Sequence, residues 1–203
     1  MFYETKDNAH GLPHDPFKAI VSPRPIGWIG TRGKGGSVNL APYSYFNAIS
    51  DHPKTVMFSS SGRKDSLRNA EETGEFTASM VSRVLAEKMN LTSIDAPYGE
   101  SEFDIAELAM AEGRMVNAPF VAQAYAALEC RVTNILEISS LAGLPSGSFV
   151  VIGQVMGIHL DEAALTDGML DMAIAAPVAR MGYMDYCEGS QPFQMRRPTW
   201  PKA

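Results

Sequence analysis

Eight consecutive residues, Ser59-Ser60-Ser61-Gly62-Arg63-Lys64-Asp65-Ser66, gather hydroxyls, two cations and the head of a helical pattern. A phosphate suits that set. A helix N-terminus offers N–H groups without partners and a partial positive charge, and Arg63 or Lys64 neutralises the dianion. The same residues also make an ordinary solvated helix start capped by Asp65 or Ser66, and taken alone they leave the two readings even. Nucleophilic catalysis is less well served, because the chain has no G-x-S-x-G elbow and no Cys–His pairing that spacing identifies. A second run, GTRGKGGS at 30–37, imitates a dinucleotide fingerprint, but that motif needs a following helix and VNLAPYSYF follows instead. Its glycines therefore read as a hairpin turn. His10 and His14 are split by Gly11 and Pro13 with no acid between them, so no metal site is expected there. Arg180, Gly182, Tyr183 and Tyr186 crowd together after Pro177 and read as a rigid coil packing its tyrosines on the fold. His159, at a strand end, reads as structural.

The elements that must position these residues are mostly strands. Pro25 to Thr31 and Val38 to Phe46 are apolar and β-compatible on either side of the glycine turn, and Lys54 to Ser60 gives a third strand. Residues 65–74 carry a short helix with Leu67 and Ala70 on one face and Gly74 as its stop. Glu75 to Ser82 alternates as a half-buried strand, with Glu75, Thr77 and Ser79 on the polar side. Val84 to Met89, after Ser82 as cap, has helical spacing. Residues 93–120 read as irregular apart from a small helix near Ile105 to Met110. Two long alternating strands, around Leu128 to Ile138 and Ser148 to Leu160, make a hairpin. Without βαβ alternation, a mainly β, mostly antiparallel barrel with peripheral helices is predicted.

Composition bounds the function. A chain of 203 residues with 45% hydrophobic and 20% charged residues fits one domain, here 1–203, with an N-terminal arm over 1–16 and an extended tail over 188–203. No apolar run approaches the roughly 20 residues that cross a bilayer. A net charge of −6 without a Lys/Arg run argues against nucleic acid as a partner, while a local basic cluster still suits a small anion. The start lacks the basic and apolar regions of a secretory signal, so a cytoplasmic location is expected. Cys130 and Cys187 lie far apart and read as reduced structural thiols.

Four segments, SPRPIGWIGT, VNLAPYSYFNAIS, VMFSSSGRKDSLRNAEETGEF and PVARMGYMDY, together resemble the flavin reductase-like family of FMN-binding split-barrel proteins over about residues 16 to 187. The resemblance implies a homodimer of Greek-key antiparallel split barrels holding FMN at or near the interface. On the matching positions, Pro25, Ile26, Gly27, Trp28 and Thr31, with Asn39, Ala41, Ser44, Phe46 and Asn47, would line the isoalloxazine. Ser59, Ser61, Arg63, Lys64, Asp65 and Ser66 would hold the phosphate and ribityl chain, and Arg180, Gly182 and Tyr183 would lie close to the flavin. The implied reaction is hydride transfer from NADH or NADPH to flavin N5, with electrons passed to an acceptor or reduced FMN released to a partner oxygenase. No residue is assigned a catalytic role. A flavoredoxin-like electron carrier that does not oxidise nicotinamide, and a barrel used only for interaction, are the competing readings.

Overall fold

The computed structural model describes residues 1–200. Seven strands form one antiparallel sheet: β1 (Gly27–Arg32), β2 (Val38–Tyr43), β3 (Phe46–Asp51), β4 (Lys54–Ser61), β5 (Glu75–Ser79), β6 (Ala126–Ser139) and β7 (Pro145–Leu160). Their order is β2-β1-β5-β6-β7-β4-β3. The two edge strands, β2 and β3, are consecutive in the chain, so the sheet curls until its edges meet. The β3–β4 ladder runs on to a hydrogen bond from the Ser59 N–H to the Tyr45 carbonyl at 2.8 Å, and at the seam the Tyr43 ring of β2 tilts against Phe58 of β4 with centroids 4.9 Å apart. The fold is the mainly β split barrel that the sequence predicts, and the glycine run is its β1–β2 hairpin turn, with the Gly33 N–H bonded to the Ser37 carbonyl and Gly36 at φ +88°.

The predicted strand over 38–46 breaks at Ser44. The chain leaves the edge of β1 there and starts β3, which pairs with β4 rather than β1. The helix forms over Asp65–Thr73, burying Leu67 and Ala70 inside the barrel, and stops at Gly74 in the left-handed conformation (φ +72°). After β5 come a 3-10 turn, Arg83–Leu85, and a helix, Ala86–Leu91, whose preceding Ser82 makes no side-chain cap. The small helix predicted near 105–110 lies earlier, at Glu102–Ile105.

The sheet is buried on both faces around β1 and β5. Ile29 points into the barrel and its neighbour Trp28 points outward, yet both are 0% exposed. Trp28 sits in an outer core with Leu40, Val81, Met89, Phe103 and Val121. Burying a large side chain contributes about 1.5–3 kcal/mol, so this covering layer has a strong hold on the sheet. It also corrects the half-buried reading of β5. Thr77 and Ser79 are buried too, Thr77 donating to the Pro119 carbonyl at 2.5 Å and Ser79 accepting from the Val121 N–H at 3.1 Å. Residues 189–200 carry no helix or strand; the last three residues of the expected tail lie outside the described residues. Among the described residues no helix is long and apolar enough to cross a membrane.

Candidate functional site

The seam between β2 and β4 opens into a cleft of about 380 Å³, floored by the start of the Asp65–Thr73 helix and walled by residues 92–96. Lys64 occupies the N-cap in extended conformation, and no side chain caps the helix. The capping expected of Asp65 or Ser66 is not realised. Ser66 instead accepts a hydrogen bond from Asn39 Nδ2 at 2.8 Å, tying the helix to β2. The first N–H groups of the helix are thus left to whatever enters the cleft. Ser59 and Ser61 face the same space from β4. Lys64 Nζ meets Asp95 Oδ1 at 2.9 Å; that hydrogen bond raises the Lys64 pKa and holds the Asp95 carboxyl below the ordinary carboxylate range.

Two buried groups complete the wall. Tyr43 is 9% exposed, its ring is held by Phe58, and its hydroxyl, beside those of Ser60 and Ser66, makes no hydrogen bond of good geometry. Burial pushes its phenol pKa up, so it is a neutral donor. Glu102 accepts the Leu40 N–H at 2.9 Å, and burial pushes its carboxyl up. Residues 92–96 are pinned from below, because Trp28 Nε1 donates to Thr92 Oγ1 at 2.8 Å and Thr92 Oγ1 donates to the Met89 carbonyl at 2.8 Å.

Past Ser44, Tyr45 and Ser59 the cleft continues into a more apolar space of about 510 Å³ lined by Pro25, Phe46, Asn47, Met57 and Val150. On its other side Lys18, Pro42, Ser44 and Ser93 are shared with a cavity of about 290 Å³ that contains Arg24, Arg180, Tyr183 and Tyr186. Of the residues that sequence singled out, Asn39, Ala41, Ser44, Ser59, Ser61, Lys64, Asp65 and Ser66 meet in the first space, and Pro25, Phe46 and Asn47 in the second. Ile26, Arg180 and Tyr183 lie in the third.

The remaining expected residues are elsewhere. Arg63 turns away, paired with Glu71 at 2.6 Å and lying 4.9 Å over the Phe149 ring. Thr31 is buried beneath the helix and accepts from Asn69 Nδ2 at 3.1 Å. Trp28 acts on the cleft only through Thr92. Gly27 and Gly182 are close approaches: a Cβ at Gly27 would collide with the Phe46 ring, and one at Gly182 with Ala19. The segment read as rigid coil is a strand, Val178–Arg180, between Arg24–Pro25 and Tyr186–Glu188, and both tyrosines stay largely exposed. His159 pairs with buried Glu129 at 2.5 Å and stacks on Phe120, a structural role. Sequence reasoning missed Lys18, Tyr43, Asp95 and Glu102. Tyr43 sits inside a run already singled out, whereas Lys18, Asp95 and Glu102 arrive from segments without a local pattern.

The family model described as the flavin reductase like domain matches residues 21–177. An uncharacterised protein of Deinococcus radiodurans is 38% identical over 195 residues, covering 90% of this chain and 83% of its own. Among solved structures, nitrilotriacetate monooxygenase component B from Bacillus cereus superposes with a TM-score of 0.84 at 27% identity, covering 96% of this chain and 98% of that one. The 2-nitrobenzoate 2-nitroreductase NbaA of Pseudomonas fluorescens, at 22% identity, shares the fold with a TM-score of 0.85, covering 100% and 99%.

Proposed function

Since the chain belongs to the flavin reductase-like domain family, we propose that it is an FMN-binding oxidoreductase, an NAD(P)H-dependent flavin reductase working as a cytoplasmic homodimer. The observation that carries this reading is the continuous groove with two chemistries. One end offers an uncapped helix start, Lys64, Ser59, Ser61 and Ser66; the other is a slot between Pro25, Phe46 and Met57 with Asn47 at its edge. FMN has a dianionic tail and a flat ring, and the residues present fit both parts. In this assignment Lys64, Ser59, Ser61, Ser66 and the helix N–H groups hold the phosphate, and Ser44, Phe46, Asn47 and Pro25 face the ring.

When bound, the flavin supplies hydride acceptance from NADH or NADPH and onward delivery to an acceptor such as a partner oxygenase. The chain's own task is to bind, orient and exclude water, which suits a site rich in hydroxyls and short of acid–base pairs. Glu102, raised by burial and engaged with Leu40, supports the wall. Purified protein titrated with FMN should quench flavin fluorescence at one equivalent per chain, and anaerobic NADH or NADPH should then bleach the flavin absorbance. Bleaching with neither nicotinamide, despite bound FMN, replaces the reductase by the flavoredoxin-like carrier. Absence of FMN uptake removes the flavin reading altogether.

A further inference from the structure

The cavity beside the flavin groove collects three cations from distant parts of the chain, Lys18, Arg24 and Arg180. Arg24 is 6% exposed. Its Nη1 donates to the carbonyls of Lys18 and Val21, and its Nη2 donates to the Met181 carbonyl at 2.9 Å. The Nε is buried without a partner. Arg180 donates to the Tyr183 carbonyl at 2.5 Å and lies 4.5 Å over the Tyr186 ring. Among the described residues none of the three makes an ion pair with a carboxylate within 4.0 Å. The other polar side chains lining the space, Ser44, Asn90, Ser93, Tyr183 and Tyr186, are neutral hydroxyls and an amide.

A buried guanidinium held only by neutral carbonyls is costly to maintain, and an anion in the adjoining cavity offsets its charge. Carbonyl contacts explain why Arg24 keeps its place; Lys18 and Arg180 line the same cavity, whose walls carry no carboxylate, and Asp15, the acid that feels the Lys18 charge, lies outside it. We propose that this cavity is a second anion subsite, which takes the diphosphate of the electron donor next to the flavin groove. The assignment of the donor rests on the reductase reading above. Three positive charges suit a diphosphate better than a single carboxylate, and the shared wall of Lys18, Pro42, Ser44 and Ser93 keeps the two sites contiguous, as two reactants require.

Inorganic pyrophosphate is the direct probe. Calorimetric titration into FMN-saturated wild type at low ionic strength should show one equivalent bound, weakened about tenfold or more in a Lys18→Ala/Arg180→Gln double variant held at the same flavin occupancy. Arg24 is left intact because its carbonyl bonds hold the fold. In stopped flow, the NADH concentration for half-maximal flavin reduction should rise by a similar factor in the double variant, while with dihydronicotinamide riboside, which lacks the diphosphate, the difference between the two proteins should be several times smaller. Absence of pyrophosphate uptake by FMN-saturated wild type, unchanged uptake by the double variant, or a double variant that cannot be saturated with FMN overturns the subsite. Pyrophosphate uptake that depends on Lys18 and Arg180 without any response to NADH keeps an anion subsite for free diphosphate and overturns the donor assignment. A wild type that takes up no FMN overturns the flavin reading, and the dependence of pyrophosphate uptake on Lys18 and Arg180 still decides the subsite.

Discussion

Tyr43 carries an unusual burden for one side chain. A buried hydroxyl without a partner costs on the order of 1–3 kcal/mol, and Phe58 keeps the ring from turning it toward water. A ligand whose binding shifts Ser66 or the helix start enough to reach the hydroxyl with an acceptor recovers that cost. Tyr43→Phe should therefore weaken FMN binding about five- to tenfold by fluorescence titration, while the flavin-free protein melts at or slightly above the wild-type temperature. A variant that loses stability and keeps its affinity would make the hydroxyl structural. Asp95 acts in the opposite sense, since its carboxylate holds Lys64 and lines the cleft proposed for the phosphate. Asp95→Asn should tighten FMN binding severalfold at low salt and leave riboflavin, which has no phosphate, unaffected; the gain should fade with added salt because this pair is exposed.

At the scale of elements, the polar side chains of β5 and β6 clamp the irregular segment that covers them. Glu129, 1% exposed, accepts N–H bonds from Arg114 at 2.9 Å, Met115 at 2.6 Å and Val116 at 2.9 Å as well as its contact with His159. Burial alone would push its carboxyl up, but the N–H groups and His159 outweigh it and the net shift is downward. A folded-state pKa below the unfolded one gives stability that is present above the ordinary carboxylate range and lost as pH falls through the folded value. Glu129→Gln should cost about 2 kcal/mol in urea unfolding at neutral pH, and the gap to wild type should shrink steadily below about pH 4. A gap independent of pH would mean the carboxylate's charge is irrelevant. Sequence alternation made β5 and β6 legible as strands, yet it put Thr77 and Ser79 on the polar side of a half-buried strand. The covering residues have no periodicity, so nothing local announces that a second layer buries that face.

For the whole molecule, the far end of the β6–β7 hairpin leaves Leu136 and Ile138 about half exposed on one face, with Leu144 more so beyond them. Apolar side chains grouped this way suit a subunit interface. If the proposed homodimer uses that face, Leu136→Asp/Ile138→Asp should sediment as a folded monomer where wild type sediments as a dimer. A double variant that remains dimeric moves the interface elsewhere.

What the sequence determined by itself is local. The hairpin at Gly33–Ser37, the stop at Gly74 and the long β6–β7 pair follow from turn chemistry and side-chain period, because those preferences act between residues a few positions apart. On the same ground the serine-rich helix start admitted two even readings, an anion site and an ordinary start capped by Asp65 or Ser66, and the second fails because neither side chain caps the helix. Tertiary structure decided the rest. Barrel closure brings β2 against β4 where Tyr43 packs on Phe58; there the helix stands uncapped, and Arg63 turns out to Glu71 while Lys64 faces in. Lys18, Asp95 and Arg180 reach the groove from segments separated by scores of residues. Their meeting depends on how the closed sheet packs its covering segments, a long-range outcome that no local preference encodes.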